Sequence, residues 1–307
     1  MASVTGRVGF LGPEGSFSHE ALVSVGVGES VAYPTIGDVL AAVSDGRVDQ
    51  GLVPLENAIE GTVSATIDGL VFDHDLVIVR EIVMPIHLHL MARPGVQLND
   101  ITRVASYSHA LGQVRHFLQR LPGARTEPTA STSQAALDTA ASSEPWAAVG
   151  SRLAASLFGL SLVAEDSEDH PGNATRFVLV GRQSVAAPTG HDRSLVVCFQ
   201  DADRPGSLYG ILGRFAARDI NLTKLESRPT KTGLGDYCFV IEFDGHVSDD
   251  IVADCLVDVQ AHLVRDKFLG SYPVTGDEAK EKRGDVDQRR ARAREWMEDI
   301  RRRVTES

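Results

Sequence analysis

Short apolar runs alternate with amphipathic patterns from Arg7 to about Gly181. Strands are predicted for RVGFLG, QGLVP, LVIVREIV, IHLHLMA, RVASYS, WAAVG and RFVLVG. Helices are predicted for SHEALVSVG, TIGDVLAAVSDG, VSATIDGLVF, ALGQVRHFLQRL, SQAALDTAASS and RLAASLFG. A regular alternation of strands and helices is typical of α/β folds with parallel sheets.

Residues that favour helix ends lie beside two of these patterns. Ser16 or Ser18 can cap the first helix, because a serine side chain accepts a hydrogen bond from the first free backbone N–H groups. Thr35 and Asp38 have the spacing of a capping box, and Gly46 is a stop signal for the same helix.

The alternation stops at RQSVAAPTGHDR, a polar stretch with proline and glycine that predicts a linker. After it come strand SLVVCFQ, helix GSLYGILGRFAARD, strand INLTKLESR, turn PTKTGLGD, strand YCFVIEFDG, helix SDDIVADCLVDVQAHL and strand FLGSYP. This βαββαβ order is that of a ferredoxin-like unit. The chain is thus predicted to have one domain over residues 1–182 and a second over 193–273.

The tail over residues 276–307 contains ten Lys or Arg and nine Asp or Glu residues. One helical stripe carries Ala293, Trp296, Met297, Ile300 and Val304. We expect a charged helical tail that packs this stripe on the body or on a neighbouring subunit. The balanced charge does not favour a nucleic-acid arm.

Composition and charge narrow the classes of partner. The chain has 307 residues, 43% of them apolar, and a net charge of −12. This charge argues against nucleic acid as a partner, because phosphate binding needs a basic surface. The cysteines Cys198, Cys238 and Cys255 form no CxxC pair, which fits a reducing compartment. With no visible signal peptide or membrane-spanning run, we expect a cytoplasmic protein with no membrane partner.

Candidate binding residues follow the predicted strands, where ligands of open α/β sheets bind. The loop GPEGSFS after the first strand offers backbone N–H groups for an anion, or is simply a glycine-rich turn before a helix. The polar side chains at the other strand ends are Glu56, Asn57, Ser108, His109 and Gln113, and Arg176 opens the final strand, RFVLVG. His109 is a candidate general base, and Arg176 supplies a positive charge.

His87 and His89 form an H-x-H pattern, which can bind a metal. Alternation along a strand also places both rings on its polar face without any ligand. Because no further His or Cys cluster lies nearby in the sequence, we predict no metal site.

Several motifs together resemble the prephenate dehydratase family. They are FLGPEGSFSHEA, VPLENAIEGTV, YSHALGQ, STSQAA and NATRFVLVG, followed by GSLYGIL and LESRPT in the second unit. The resemblance covers about residues 6–273 in the same order. It implies an α/β catalytic part of two lobes, similar to a type II periplasmic binding protein, with a ferredoxin-like ACT regulatory domain behind it.

The resemblance also implies roles for individual residues. The threonine of the family's Thr-Arg-Phe motif is catalytic and corresponds to Thr175. The family's other polar positions in the substrate cleft between the two lobes correspond to Asn57, Ser108 and Gln113. We expect Arg176 to hold the substrate's pyruvyl side chain or to brace the cleft, with a purely structural salt bridge as the alternative. Phe177 is expected to pack beside the substrate ring or in the core.

Two departures from the family pattern stand out. Ala58 replaces a frequent Ser or Thr after Glu-Asn, which puts one hydrogen bond in doubt. Gly206-Ser207-Leu208 replaces the regulatory Gly-Ala-Leu, a small change.

The implied activity is the conversion of prephenate to phenylpyruvate, CO2 and water without a cofactor. The implied regulator is L-phenylalanine, bound in the ACT domain of a homodimer or homotetramer. Its predicted contacts are Gly206, Ser207, Leu208, Asn221, Leu222, Glu226, Ser227, Arg228 and Pro229. Two alternatives stay open: an arogenate dehydratase, and a non-catalytic amino-acid sensor.

Overall fold

The computed structural model describes residues 4–121, 123–182, 185–199, 205–231, 233, 236–262, 265–275, 292 and 295–302. The chain divides into two compact units, Met1–Ser184 and Val185–Ser307, at the stretch predicted as a linker. Of the predicted tail, residues 295–302 are helical and include Trp296, Met297 and Ile300. Ala293, Val304 and most of the other tail positions lie outside the described residues, as do residues 1–3 of the first predicted domain.

The first unit contains two sheets, which form two lobes. The strands of the first sheet are β1 (Val4–Leu11), β2 (Val27–Tyr33), β3 (Gln50–Asn57), β4 (Gly61–Thr62), β5 (Val77–Pro85) and β11 (Ala174–Gly181). Their order is β2-β1-β3-β11-β5, with β4 beside β3. Strands β1, β2 and β3 are parallel, whereas β11 runs antiparallel to both β3 and β5.

The second sheet forms the other lobe. Its strands are β6 (His89–Ala92), β7 (Arg103–Tyr107), β8 (Arg125–Thr129), β9 (Trp146–Gly150) and β10 (Ser161–Ala164). Their order is β10-β6-β9-β7-β8, with β7 parallel to β8 and β9, and β6 antiparallel to β9 and β10. Both sheets are therefore mixed, and the expectation of parallel sheets was wrong. Strand β6 lies antiparallel between β9 and β10, and strand β11 lies antiparallel between β3 and β5.

The helices of the first unit are α1 (Phe17–Ser24), α2 (Ile36–Ser44), α3 (Ser64–Asp68), α4 (Ser108–Gly112), α5 (Arg115–Leu118), α6 (Thr132–Ala141) and α7 (Arg152–Leu157). A π-helical turn at Gly69–Asp73 follows α3, and a 3-10 turn lies at Leu98–Asp100. Within the described ranges, no helix is long and apolar enough to cross a membrane.

The predicted helix starts agree with the caps that form. Ser16, rather than Ser18, caps α1, and its side chain accepts a hydrogen bond from the N–H of His19. Thr35 caps α2 through the N–H of Asp38, as predicted. The single helix predicted for ALGQVRHFLQRL is instead divided into α4 and α5 around Gln113.

Four strands were not predicted: β2, β4, β8 and β10. Strand β8 exposes four of its five residues, and β4 has only two residues. A strand of this kind has no buried apolar face by which it could be recognised in the sequence. It forms because its backbone pairs with a neighbouring strand.

Two crossovers connect the lobes, at residues 86–88 and 165–173. A buried cluster under the first sheet includes Phe10, Leu22, Leu52 and Phe177. The second sheet has its own buried clusters on its two sides. The predicted α/β body of two lobes is thus confirmed.

The second unit has the predicted βαββαβ order. Its elements are β12 (Asp192–Phe199), α8 (Ser207–Ala216), β13 (Leu222–Pro229), β14 (Tyr237–Asp244), α9 (Asp250–Gln260) and β15 (Arg265–Pro273). They form an antiparallel sheet in the order β13-β14-β12-β15, with both helices packed against it through one buried cluster. The ferredoxin-like prediction is confirmed.

We expect the three cysteines of the folded protein to resist a thiol reagent. Cys198, Cys238 and Cys255 are buried in the second unit and form no disulfide within the part of the chain that the structure describes. Burial raises the pKa of Cys198 to about 12 and that of Cys255 to about 11, so the reactive thiolate is scarce near pH 8. Ellman's reagent should titrate all three only in denaturant. Rapid titration of the native protein would contradict the burial.

Candidate active site

Thr175 and Asn57 form the centre of the candidate site. They are directly opposite each other on β11 and β3, and Asn57 Nδ2 donates a hydrogen bond of 2.9 Å to Thr175 Oγ1. Thr175 is 8% exposed. Both residues lie within strands rather than in the adjoining loops, where the sequence pattern had placed them. The paired backbone therefore holds the two side chains at a set distance.

The amide of Asn57 has a defined orientation. Its Oδ1 accepts hydrogen bonds from the backbone N–H groups of Ile59 at 2.9 Å and Glu60 at 3.1 Å. Nδ2 must therefore point toward Thr175. Because this N–H donates to Thr175 Oγ1, the hydroxyl hydrogen of Thr175 is directed away from Asn57 and can be donated to another group.

Asn173 extends the hydrogen bonds from the first lobe to the second. It is 3% exposed, and its Oδ1 accepts from Asn57 Nδ2 at 2.9 Å. Its Nδ2 donates at 3.0 Å to Oε1 of Gln113, the residue that caps the C-terminal end of α4. Asn173 was not among the residues predicted from the sequence, although it lies two residues before Thr175 in the NATRF motif.

His109 and Gln113 of the second lobe also contact Glu60 of the first lobe. His109 Nδ1 lies 2.7 Å from Glu60 Oε1, and Gln113 Nε2 donates to the same oxygen at 3.4 Å. The ring of Tyr107 stacks on His109 with centroids 5.1 Å apart. Ser108 is exposed at the first residue of α4. Hydrogen bonds through Asn173 thus link Asn57, Gln113 and Thr175, whereas Ser108 makes no hydrogen bond to these residues within the described part of the chain.

Arg176 is held by carboxylates on the other face of the sheet. Successive side chains of a strand alternate between faces, so Arg176 lies opposite Thr175. Its Nη2 is 2.8 Å from Glu56 Oε2 and its Nη1 is 3.3 Å from Glu81 Oε2. The side chains of Arg176 and Glu81 are 11% and 1% exposed. These ion pairs are compatible with both the bracing role and the purely structural salt bridge that were expected as possibilities for Arg176.

Phe177 is a core residue of the first lobe. It is 2% exposed and belongs to the buried cluster that contains Phe10 and Leu22. Of the two surroundings considered for Phe177, the structure places it in the core.

The loop GPEGSFS of the first lobe contacts the second lobe. The N–H of Gly15 donates to His19 Nδ1 at 3.1 Å, and the Gly15 carbonyl accepts from Ser151 Oγ at 2.7 Å. Gly15 has a φ of +81°, and a Cβ there would lie 3.2 Å from Ala154. Burial lowers the pKa of His19, against the opposing charge of Glu14. The N–H of Gly15 is thus used within the protein rather than offered to an anion.

Of the predicted phenylalanine contacts, Gly206-Ser207-Leu208 and Asn221-Leu222 lie at opposite ends of α8, whereas Glu226, Ser227, Arg228 and Pro229 lie on β13. Gly206, with a φ of +87°, caps the start of α8. Asn221 follows its other end, where the N–H of Ile220 donates to the carbonyl of Phe215 at 3.1 Å. A helix of ten residues is about 15 Å long. Within one chain, Gly206-Ser207-Leu208 and Asn221-Leu222 therefore do not form one continuous pocket.

Comparison with known proteins agrees with this architecture. The family profile described as prephenate dehydratase matches residues 8–185, and that of the ACT domain matches residues 195–259. The prephenate dehydratase of Mycolicibacterium smegmatis is 38% identical over 282 residues, which cover 87% of this chain and 90% of the relative.

Two solved structures are similar over most of the chain. Prephenate dehydratase from Arthrobacter aurescens, in complex with L-Phe, is 36% identical with a TM-score of 0.83, covering 96% of this chain and 99% of that one. GqqA, described as a quorum quenching acylase, is 28% identical with a TM-score of 0.80, covering 88% and 98%. The family profile and the relatives show that this chain belongs to the prephenate dehydratase family and carries an ACT domain.

Proposed function

We propose that this protein converts prephenate to phenylpyruvate, CO2 and water. The observation that carries the proposal is the Thr175–Asn57 pair, which presents a hydroxyl donor at the junction of the two lobes of a family member. Prephenate carries two carboxylates and a hydroxyl on a cyclohexadienyl ring. Loss of one carboxylate as CO2 and of the hydroxyl makes the ring aromatic, and this gain drives the reaction without a cofactor.

Thr175 assists departure of the hydroxyl group. Hydroxide is a poor leaving group, and a positioned donor typically accelerates such a step by about 10²–10⁴-fold. Threonine is a weak acid, so its contribution is a preorganised hydrogen bond to the developing negative charge rather than full proton transfer. Asn57 supports this role because its N–H occupies a lone pair of Oγ1 and turns the hydroxyl hydrogen outward.

The remaining predicted residues position the donor and the substrate. Gln113 and Ser108 belong to the second lobe. Closure of the two lobes on the substrate would bring the polar groups of these residues to the substrate. Arg176 braces β11 through Glu56 and Glu81 rather than binding a substrate carboxylate. Arg176 then does not bind the carboxylate that leaves as CO2. Strong binding of that carboxylate in the ground state would slow the reaction. Phe177 anchors the strand in the core.

Acyl-amide hydrolysis is the second candidate, because GqqA is described as an acylase. A threonine nucleophile needs a neighbouring base to accept its proton. Among the described residues, the group that hydrogen-bonds to Thr175 Oγ1 is the Asn57 N–H, which is a donor and cannot accept that proton. The contact therefore favours hydrogen-bond donation by Thr175 over nucleophilic attack.

L-phenylalanine is proposed to regulate the enzyme through the ACT domain of an oligomer. Gly206-Ser207-Leu208 of one chain and Asn221-Leu222 of another can complete a pocket that one chain does not form. Large apolar side chains on both helices are available for self-association: Tyr209 on α8 is 80% exposed and Val257 on α9 is 69% exposed. A coupling free energy of about 1–3 kcal/mol between the sites is enough for feedback.

One experiment tests activity, substrate and regulation together. Purified protein is assayed with prephenate, arogenate and an acyl amide, with and without phenylalanine, and its size is measured by light scattering. We expect the highest kcat/KM with prephenate, a rate that phenylalanine reduces, and a dimer or tetramer. A higher kcat/KM with arogenate would make it an arogenate dehydratase. Phenylalanine binding without turnover would make it an amino-acid sensor.

Asn57→Asp tests the orienting role of the amide. The substitution keeps the shape but removes the N–H donor, and an aspartate would accept the Thr175 hydroxyl hydrogen that the substrate needs. Leaving such a contact unmade costs about 1–3 kcal/mol, so we expect kcat to fall about 10- to 100-fold. Steady-state kinetics with prephenate would measure this.

The matched control is Asn99→Asp, the same change at an exposed position of the second lobe. It should leave kcat within about twofold, since exposed substitutions usually change stability by less than about 0.5 kcal/mol. Equal kinetics for the two variants would remove Asn57 from the mechanism.

A further inference from the structure

The two crossovers between the lobes carry a group of metal-ligating side chains outside the candidate active site. His87 lies in the first crossover, and Asp166 and Glu168 lie in the second. One donor atom from each of the three falls within 4.8 Å of the others. The prediction of no metal site was based on the lack of a further His or Cys cluster close to His87 in the sequence. The structure supplies two carboxylates from about 80 positions further along the chain.

The distances between donor atoms suit a small divalent ion. His87 Nδ1 is 2.9 Å from Glu168 Oε1 and 3.5 Å from Asp166 Oδ1. Tetrahedral zinc with ligands at about 2.0–2.2 Å keeps its ligand atoms about 3.4 Å apart. These two distances lie on either side of that value, and the donor oxygens of Asp166 and Glu168 lie within 4.8 Å of each other, so an ion enters once side-chain shifts bring the three atoms to a common spacing.

Glu168 is already oriented for the task. Its side chain is 3% exposed, and its Oε2 accepts the backbone N–H of Leu88 at 2.9 Å. The other oxygen, Oε1, is thereby turned toward His87. Hydrogen bonds of this kind from outside the ligand set are typical of metal sites, because they hold the ligand in place before the ion binds.

His89 fixes the position of Asp166. The backbone N–H of Asp166 donates to His89 Nδ1 at 3.2 Å, and Asp166 has a φ of +47°. A non-glycine residue in this region is uncommon and needs support from its surroundings. His89 is 3% exposed and gives that support from the start of β6. The H-x-H pattern thus provides one ligand, His87, and one positioning residue.

We propose that His87, Asp166 and Glu168 form a binding site for one divalent ion of the zinc type at the crossovers between the lobes. One imidazole and two carboxylates favour zinc or cobalt over magnesium, which prefers an all-oxygen octahedral shell. Solvent reaches the remaining coordination positions, because the side chains of His87 and Asp166 are 47% and 64% exposed. A bound ion would tie the two crossovers together.

The test is a titration of untagged, chelator-treated protein with Co²⁺ by visible absorption and with Zn²⁺ by calorimetry. We expect one ion per chain and an absorption band typical of a low coordination number. His87→Ala should weaken Co²⁺ binding at least about tenfold, because changes even outside the ligand set cost 10–100-fold. Excess Mg²⁺ should not compete. This readout is independent of prephenate turnover, so it can fail without affecting the proposed function.

His116→Ala is the matched control. His116 Nδ1 also lies 3.5 Å from a carboxylate, Asp169 Oδ1, but is not part of the three-residue group. Its removal should leave Co²⁺ binding unchanged. Asp166→Asn should weaken binding like His87→Ala. Wild-type protein that binds neither ion, or equal binding by the His87 and His116 variants, would overturn the proposal.

Discussion

Thr175→Val is expected to reduce kcat for prephenate at least about a hundredfold, which is the lower range for loss of a positioned proton or hydrogen-bond donor. Valine keeps the shape and the β-branch of threonine and removes only the hydroxyl. The departing hydroxide then leaves without a partner in the transition state. KM should change little, because the hydrogen bond strengthens mainly as charge develops on the leaving oxygen.

Two comparisons separate this loss from a loss of folding. Thr175→Ser retains a hydroxyl that Asn57 can orient, and should recover most of the activity. Asn57 Nδ2 keeps acceptors in Asn173 Oδ1 and the Ala174 carbonyl, so the thermal midpoint of Thr175→Val should stay close to that of the wild type. A valine variant with nearly normal kcat would show that Thr175 is not the donor.

Arg176→Met is expected to lower the free energy of unfolding of the first unit by about 3–5 kcal/mol, the usual cost of removing one partner of a buried ion pair. Glu81 is 1% exposed at the side chain and would lose a positive neighbour 3.3 Å away. Methionine fills similar volume, so the effect reports the charge rather than a cavity. Chemical denaturation monitored by circular dichroism would measure it.

Arg7→Met is the matched control on the same sheet. Arg7 Nε is 2.8 Å from Glu29 Oε1, but the two side chains are 51% and 63% exposed. An exposed ion pair contributes about 0–1 kcal/mol, so this variant should be nearly as stable as the wild type. The double variant Arg176→Met, Glu81→Gln should recover part of the loss because it also removes the buried charge that Arg176 contacted. Equal stability of the Arg7 and Arg176 variants would contradict the bracing role.

Local signals in the sequence were sufficient for the elements that bury a continuous apolar face. The cap at Thr35 and the βαββαβ order of the second unit follow from patterns within a few residues, and both were predicted correctly. The exposed strand β8 and the division of ALGQVRHFLQRL into two helices were not predicted. Those features depend on pairing and packing with distant segments, which local patterns do not contain.

The sequence by itself determined the family, through ordered motifs, and the candidate donor Thr175 within one of them. Only the tertiary structure decided what each side chain contacts. The antiparallel register of β11 and β3 places Asn57 against Thr175. Because side chains along β11 alternate between the two faces of the sheet, Arg176 contacts Glu81 on the opposite face. The meeting of two crossovers places His87 beside Glu168. These contacts join residues about 80 to 120 positions apart, and a one-residue change in the register of β11 would remove those of Thr175 and Arg176.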